Sequence, residues 1–166
     1  MDIFEFAIEK EKLSEDYYRQ LAQKTDNEGL QKIFIMLAGE EEKHAQVVRD
    51  MQKQPVATVT ETSVLDDARK VFESMRQSTK NFNVNIEESE LYQKACRIEI
   101  ESEKFYREKA GETRNPQHKD IFLKLADEEN KHYRLLESIG TFVERPKWFL
   151  ENAEMYCFND YAEGVL

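Results

Sequence analysis

At 166 residues the chain is one domain long, enough to bury a core without disulfides or metal staples, and it carries a formal net charge of −10. That acidity argues against nucleic acid and against an anionic membrane surface as partners, since both call for a basic face. Five glycines, three prolines and a 35% share of charged residues favour long helices over strands.

Taken in chain order, a first helix covers about residues 3–25 and breaks at Asp26-Asn27-Glu28-Gly29, where turn formers cluster. A second runs over about 29–52 and stops before Pro55. The connection from about 52 to 86 is long enough to travel the length of a bundle as a crossover. Within it, Pro55 to Thr60 reads as extended or irregular. Leu65 to Gln77 reads as a short helix with Leu65, Ala68, Val71, Phe72 and Met75 on its apolar side. Two more helices are expected over about 87–110 and 116–140, separated by Gly111 to Pro116. The tail over 141–166 is aromatic, with Phe142, Trp148, Phe149, Tyr156, Phe158 and Tyr161. Pro146 suits a helix start there, so PKWFLENAEMY predicts a further helix packed on the bundle or on a sister subunit.

Cys96 and Cys157 lie far apart with no Cys-x-x-Cys, which excludes a thiolate zinc site and leaves both as packing residues. Asp2, Glu5, Glu9 and Glu11 stand where a signal peptide would be basic and then apolar. No apolar run approaches the ~20 residues that span a bilayer. A soluble, cytoplasmic protein is expected.

The sequence repeats itself. Shifted by 88, the segment Ala7–Val48 falls on Ala95–Leu136 without a gap, and 17 of these 42 positions are identical. Chance would give roughly two or three. The identities include Glu11/Glu99, Ser14/Ser102, Tyr18/Tyr106, Glu41/Glu129 and His44/His132. Each half is therefore the same antiparallel helical hairpin, and residues 1–140 form an all-α four-helix bundle of two repeated hairpins.

Following each helix at spacings of three and four traces its buried stripe. It reads Phe34, Leu37, Glu41, His44, Val48 in the second helix and Phe122, Leu125, Glu129, His132, Leu136 in the fourth. The first gives Ala7, Glu11, Ser14, Tyr18 and the third Ala95, Glu99, Ser102, Tyr106. Every stripe is interrupted in mid-helix by a glutamate, and two by a histidine as well. Carboxylates facing a core are tolerated only when paired or bound to metal. No lysine or arginine lies on these central positions, whereas two divalent cations would balance four glutamates. Glu and His at i and i+3 point to one side of a helix and can share one ion. Oxygen-rich sites with one imidazole per ion suit iron or manganese better than structural zinc.

On these residues the chain resembles the rubrerythrins of the ferritin-like superfamily, through the motifs AIEKEKLSEDYY, LAGEEEKHA, ACRIEIESEKFY and LADEENKHY across roughly residues 3–140. The resemblance implies a ferritin-like bundle holding two iron ions, with manganese as the alternative, on Glu11, Glu41, His44, Glu99, Glu129 and His132. It further implies that Tyr18 and Tyr106 hydrogen-bond the ligands and that Glu103, ahead of Glu101, supplies an additional glutamate. Glu15 matches Glu103 in the first half, so a solvent-facing charge stays open as the other reading. Ser14 and Ser102 are small enough to leave room for peroxide or oxygen, with compact packing as the equal alternative, and His118, off the stripe near a helix start, is expected at the surface. Rubrerythrins commonly end in a rubredoxin-like domain with four cysteines around an electron-transfer iron, and no such set stands in these 166 residues. The implied activity is thus peroxide reduction with electrons from an external donor protein, by a homodimer. Ferrous oxidation by oxygen and a non-catalytic metal-binding module are the alternatives.

Overall fold

Both hairpins turn on the same device. In the first, the Thr25 hydroxyl accepts from the Asn27 N–H at 3.3 Å, and the Asn27 side chain accepts from the Leu30 N–H at 2.9 Å. In the second, Thr113 accepts from the Asn115 N–H at 3.2 Å and the Asn115 side chain accepts from the Gln117 N–H at 2.9 Å. Asparagine at the N-cap satisfies backbone donors that the first turn leaves open, and Pro116 at the first helical position supplies a preset φ. The repeated Thr-x-Asn is thus the signal that reverses the chain in each half.

The structure is a computed structural model that describes residues 2–53, 57–78 and 88–152. Six helices follow one another there: α1 Ile3–Lys24, α2 Glu28–Lys53, α3 Val64–Gln77, α4 Ser89–Glu112, α5 Pro116–Glu144 and α6 Pro146–Asn152. The all-α bundle expected from the repeat is present. α1 lies along α2 and α4 along α5, while the two hairpins meet through α1 against α4 and α2 against α5. The approach within a hairpin is much closer than that between hairpins, where large side chains fill the space. No described helix is long and apolar enough to cross a membrane.

Apolar packing is split into two bodies. One gathers Leu21, Leu30, Ile33, Phe34, Leu37, Leu135, Leu136 and Ile139; the other gathers Val48, Met51, Ile121, Phe122 and Leu125. Between them lies a layer of buried polar side chains, the mid-helix glutamates and histidines of the four stripes.

The crossover helix α3 begins at Val64 and buries Val64, Ala68, Phe72 and Met75. It lies so close to the start of α2 that a Cβ added at Gly29 would come 2.6 Å from the Met75 side chain. The expected irregular stretch is present over 57–60, while Pro55 and Val56 lie outside the described residues. α5 runs four residues past its expected end, because Phe142 and Val143 are buried and Pro146 is the first residue that cannot continue the helix. α6 then starts at Pro146 and inserts Phe149 beside Phe72 and Phe142, with ring centroids 4.9 and 5.8 Å apart. The part of the expected tail helix beyond Asn152, with Tyr156, Cys157, Phe158 and Tyr161, lies outside the described residues.

This aromatic knot joins crossover and tail to the bundle far from the polar layer. Phe72→Ala should therefore lower stability by about 3 kcal/mol through the lost ring and the cavity it leaves. The measurement is urea unfolding of the metal-free chain, and metal content should stay unchanged.

Candidate metal centre

Heptad-like spacing carries Glu11 and Glu99 to the inward faces of α1 and α4, and the Glu-x-x-His pairs to those of α2 and α5. Four ligand atoms, one each from Glu41, His44, Glu129 and His132, lie within 4.8 Å of one another. The contacts run crosswise between the two motifs. His44 Nδ1 lies 2.9 Å from Glu129 Oε1 and 4.0 Å from Glu41 Oε2. His132 Nδ1 lies 2.9 Å from Glu41 Oε1 and 3.8 Å from Glu99 Oε2. The imidazoles stack at 5.3 Å with 12° between their planes. Glu41 thus stands within reach of both rings. Glu11 joins the group through its hydrogen bond from Tyr106 and its charge coupling to Glu129 and His44.

Burial is complete. Glu41, Glu99, Glu129 and His132 are 0% exposed, Glu11 1% and His44 3%. Buried polar atoms are almost always hydrogen-bonded, yet here Glu11 Oε2, both oxygens of Glu41, Glu99 Oε2, Glu129 Oε2 and both nitrogens of His132 make no well-formed hydrogen bond, although His132 Nδ1 and Glu41 Oε1 stand 2.9 Å apart. So many orphaned acceptors turned toward one another are the donor set of a cation site. The residues fit a metal.

Electrostatics of the metal-free cluster say the same. Burial, then the Glu129 charge, pushes Glu11 up to about 7 and raises Glu41 and Glu99 well above the carboxylate range. Burial would also raise Glu129, but hydrogen bonds with Glu99 and His44 outweigh it and hold Glu129 low. Burial opposes charge on His44, yet the Glu129 hydrogen bond and charge lift it to about 9. For His132 burial outweighs the opposing Glu129 charge and takes it down to about 4. Without metal, protons occupy the places of cations.

Each tyrosine reaches across the bundle. The Tyr18 hydroxyl donates to Glu99 and the Tyr106 hydroxyl to Glu11. A glutamate seven residues back on the same helix lies about 10 Å away along the axis, whereas the antiparallel neighbour brings the other half's glutamate opposite. Burial and the Glu11 charge raise Tyr106 well above its ordinary value, so it remains a donor.

Glu103 lies outside the cluster, with Arg107 Nη2 at 2.8 Å and the Asn130 amide donating to it at 2.9 Å. Its counterpart Glu15 pairs with Arg19 at 2.7 Å in the same way, because Arg19/Arg107 also repeat. Glu101 is exposed. Ser14 and Ser102 are buried on the ligand stripes, at 3% and 1% exposure. His118 packs edge-on against Phe4 at 5.6 Å. Cys96 is half-buried, its thiol pushed up to about 11 by burial.

Sequence reasoning did not single out Glu40 and Glu128. Both are buried beside the ligands, paired with Lys43 at 2.7 Å and Lys131 at 2.8 Å. Glu128 also accepts from the crossover N–H of Thr62 at 3.1 Å. Their signal was available, since both the acid and the lysine recur at the 88-residue offset.

With this geometry in place, comparison with known proteins gives a decisive match: the family model Rubrerythrin covers residues 2–140. The chain belongs to the rubrerythrin family. No curated protein and no solved structure matches it. Membership agrees with a bundle whose core carries a buried carboxylate–histidine group able to hold a metal ion.

Two outcomes follow for this rubrerythrin-family centre. Glu11, Glu41, Glu99 and His44 each bind protons more tightly folded than unfolded, so their contribution to stability is lost as pH rises. His132 works in the opposite sense, but only between its folded value of about 4 and its ordinary 6.5. The melting temperature of the metal-free chain should therefore fall between pH 6.5 and about 9, the folded value of His44. Metal loading should suppress that fall, as differential scanning calorimetry with and without metal will show. Separately, Glu41→Ala removes a carboxylate within reach of both imidazoles and should cost at least about half of the bound metal by elemental analysis.

Proposed function

We propose that this chain is a di-iron redox protein that reduces hydrogen peroxide to water with electrons from an external donor. The observation that carries the reading is the set of buried carboxylate oxygens and imidazole nitrogens without well-formed hydrogen bonds, gathered in one core layer. Glu11, Glu41, His44, Glu99, Glu129 and His132 would hold the ions. Four carboxylates against two divalent ions bring the buried charge to neutrality.

Two ferrous ions held there would supply one electron each, enough with two protons to convert one peroxide into two waters. The protein's own part is to bind, orient and exclude. Burial of all six groups keeps bulk water off the reacting region. Tyr106 and Tyr18 hold Glu11 and Glu99 by hydrogen bonds, so neither carboxylate can swing freely. The same hydroxyls keep a proton next to each of those carboxylates. Glu128, clasped by Lys131 and Thr62, ties the crossover to the helix that carries His132. A homodimer in the cytoplasm, resupplied with electrons by a partner protein, completes the reading.

The test is anaerobic iron loading followed by stopped-flow absorption. Hydrogen peroxide should oxidise the diferrous form at least about 100-fold faster than oxygen does at equal concentration, with the near-ultraviolet bands of an oxo-bridged diferric pair. Preference for oxygen would move the chain to iron oxidation and handling. A redox-inert occupant with no spectral change would make it a binding module.

A further inference from the structure

A buried centre needs a way in, and the outer seam between α1 and α4 shows one. There a groove of about 540 Å³ opens between the two helices. Its walls include Leu13 and Tyr17 of α1 and Leu91 and Ile98 of α4, and Ser14 is among the residues that line it. Ser14 belongs to the ligand stripe, one turn from Glu11, so the groove reaches the layer that holds the carboxylates. Leu13, at 69% the most exposed large apolar residue described, stands at its mouth. Exposed leucines need no explanation singly, but this one borders a groove whose lining is part apolar and part charged.

The internal repeat makes the comparison sharp, because it relates one end of the seam to the other. At one end Phe6 packs on Phe105 with centroids 5.3 Å apart, and Lys10 and Lys109 stand over the Phe105 ring at 5.8 and 5.9 Å. The repeat replaces Phe6 by Lys94 and Phe105 by Tyr17. At that second end Lys94 lies over the Tyr17 ring at 4.8 Å, and the Tyr17 hydroxyl donates to the Leu91 carbonyl at 2.8 Å. A pair of phenyl rings is a rigid apolar plug. A lysine over a tyrosine is a hydrated, rotatable cover at a surface site. The groove lies at the Tyr17–Lys94 end and extends as far as Lys10.

We propose that small uncharged oxidants reach the centre through this α1/α4 groove, passing Leu13 and Tyr17 and arriving at Ser14, and that the equivalent approach is sealed by Phe6 and Phe105. Leu13, Leu91 and Ile98 supply the apolar part of the lining, which suits a small neutral molecule, while Lys10, Asp16, Lys24, Lys94 and Glu101 line the groove as well. The inference rests on the peroxide-reducing reading for the identity of what enters, but not for the opening itself.

The test uses the full, metal-loaded chain under anaerobic conditions, with Cys96 and Cys157 both replaced by Ser. Into it go Ser14→Cys or Ser102→Cys, each a near-isosteric change. Methyl methanethiosulfonate should label the thiol at position 14 at least about 10-fold faster than that at 102. Leu13→Trp should protect position 14 by a similar factor, and Phe6→Ala should speed labelling at 102. In the otherwise native chain, Leu13→Trp should slow the second-order reaction with hydrogen peroxide about 10-fold while iron content holds. Ile98→Trp serves as a second block from the opposite wall. Equal labelling at 14 and 102, or full peroxide reactivity in both tryptophan variants, overturns the proposal. The expected labelling together with an iron-loaded protein inert to peroxide upholds the opening and overturns the peroxide reading instead.

Discussion

Four glutamates turned into the middle of one bundle are the constraint to which the rest of this molecule answers. Carboxylates there lose hydration and repel each other, and among the described residues no lysine or arginine is buried to pair with them. Without cations the cluster meets the difficulty by taking up protons, with Glu41 and Glu99 raised and one Glu129–His44 pair left ionised. With cations it has no need to. The polar layer therefore separates two apolar bodies that would otherwise merge into one core.

The duplication explains how such a layer is built, and the departures from it explain how the layer is used. Thr-x-Asn turns, Glu-Arg and Glu-Lys pairs and the crossed Tyr–Glu hydrogen bonds occur twice. Symmetry of residues is not symmetry of environment. His44 is drawn toward the charged form by Glu129, while His132 is driven toward the neutral form by burial. The seam of α1 and α4 carries aromatic rings at one end and lysine over tyrosine at the other.

The non-repeated parts add a second asymmetry. α3 and α6 pack together against one apolar body only, through Phe72, Phe142 and Phe149. The stretch before α3 meets the polar layer at Thr62, which donates to Glu128 and also hydrogen-bonds Glu40. Among the described residues one end of the bundle thus carries α3 and α6, and the other carries Ala57 and Val59 of the crossover.

Much of this was legible in the linear chain, because periodicity and repetition are local properties of sequence. Spacings of three and four place Glu11, Glu41, His44, Glu99, Glu129 and His132 on buried stripes whatever the partner helices do, and an 88-residue offset shared by all of them marks one hairpin used twice. What lies across a helix–helix gap is not local. Only the packed bundle decides that Tyr18 serves Glu99 and Tyr106 serves Glu11, that Glu41 stands between both imidazoles, and that Glu103 goes to Arg107 and Asn130. The burial of Glu40 and Glu128 and the open end of the seam were likewise decided there. The helical period determines which way a side chain faces; what it meets depends on the rotation and offset of a second helix, and those are set by the whole core at once.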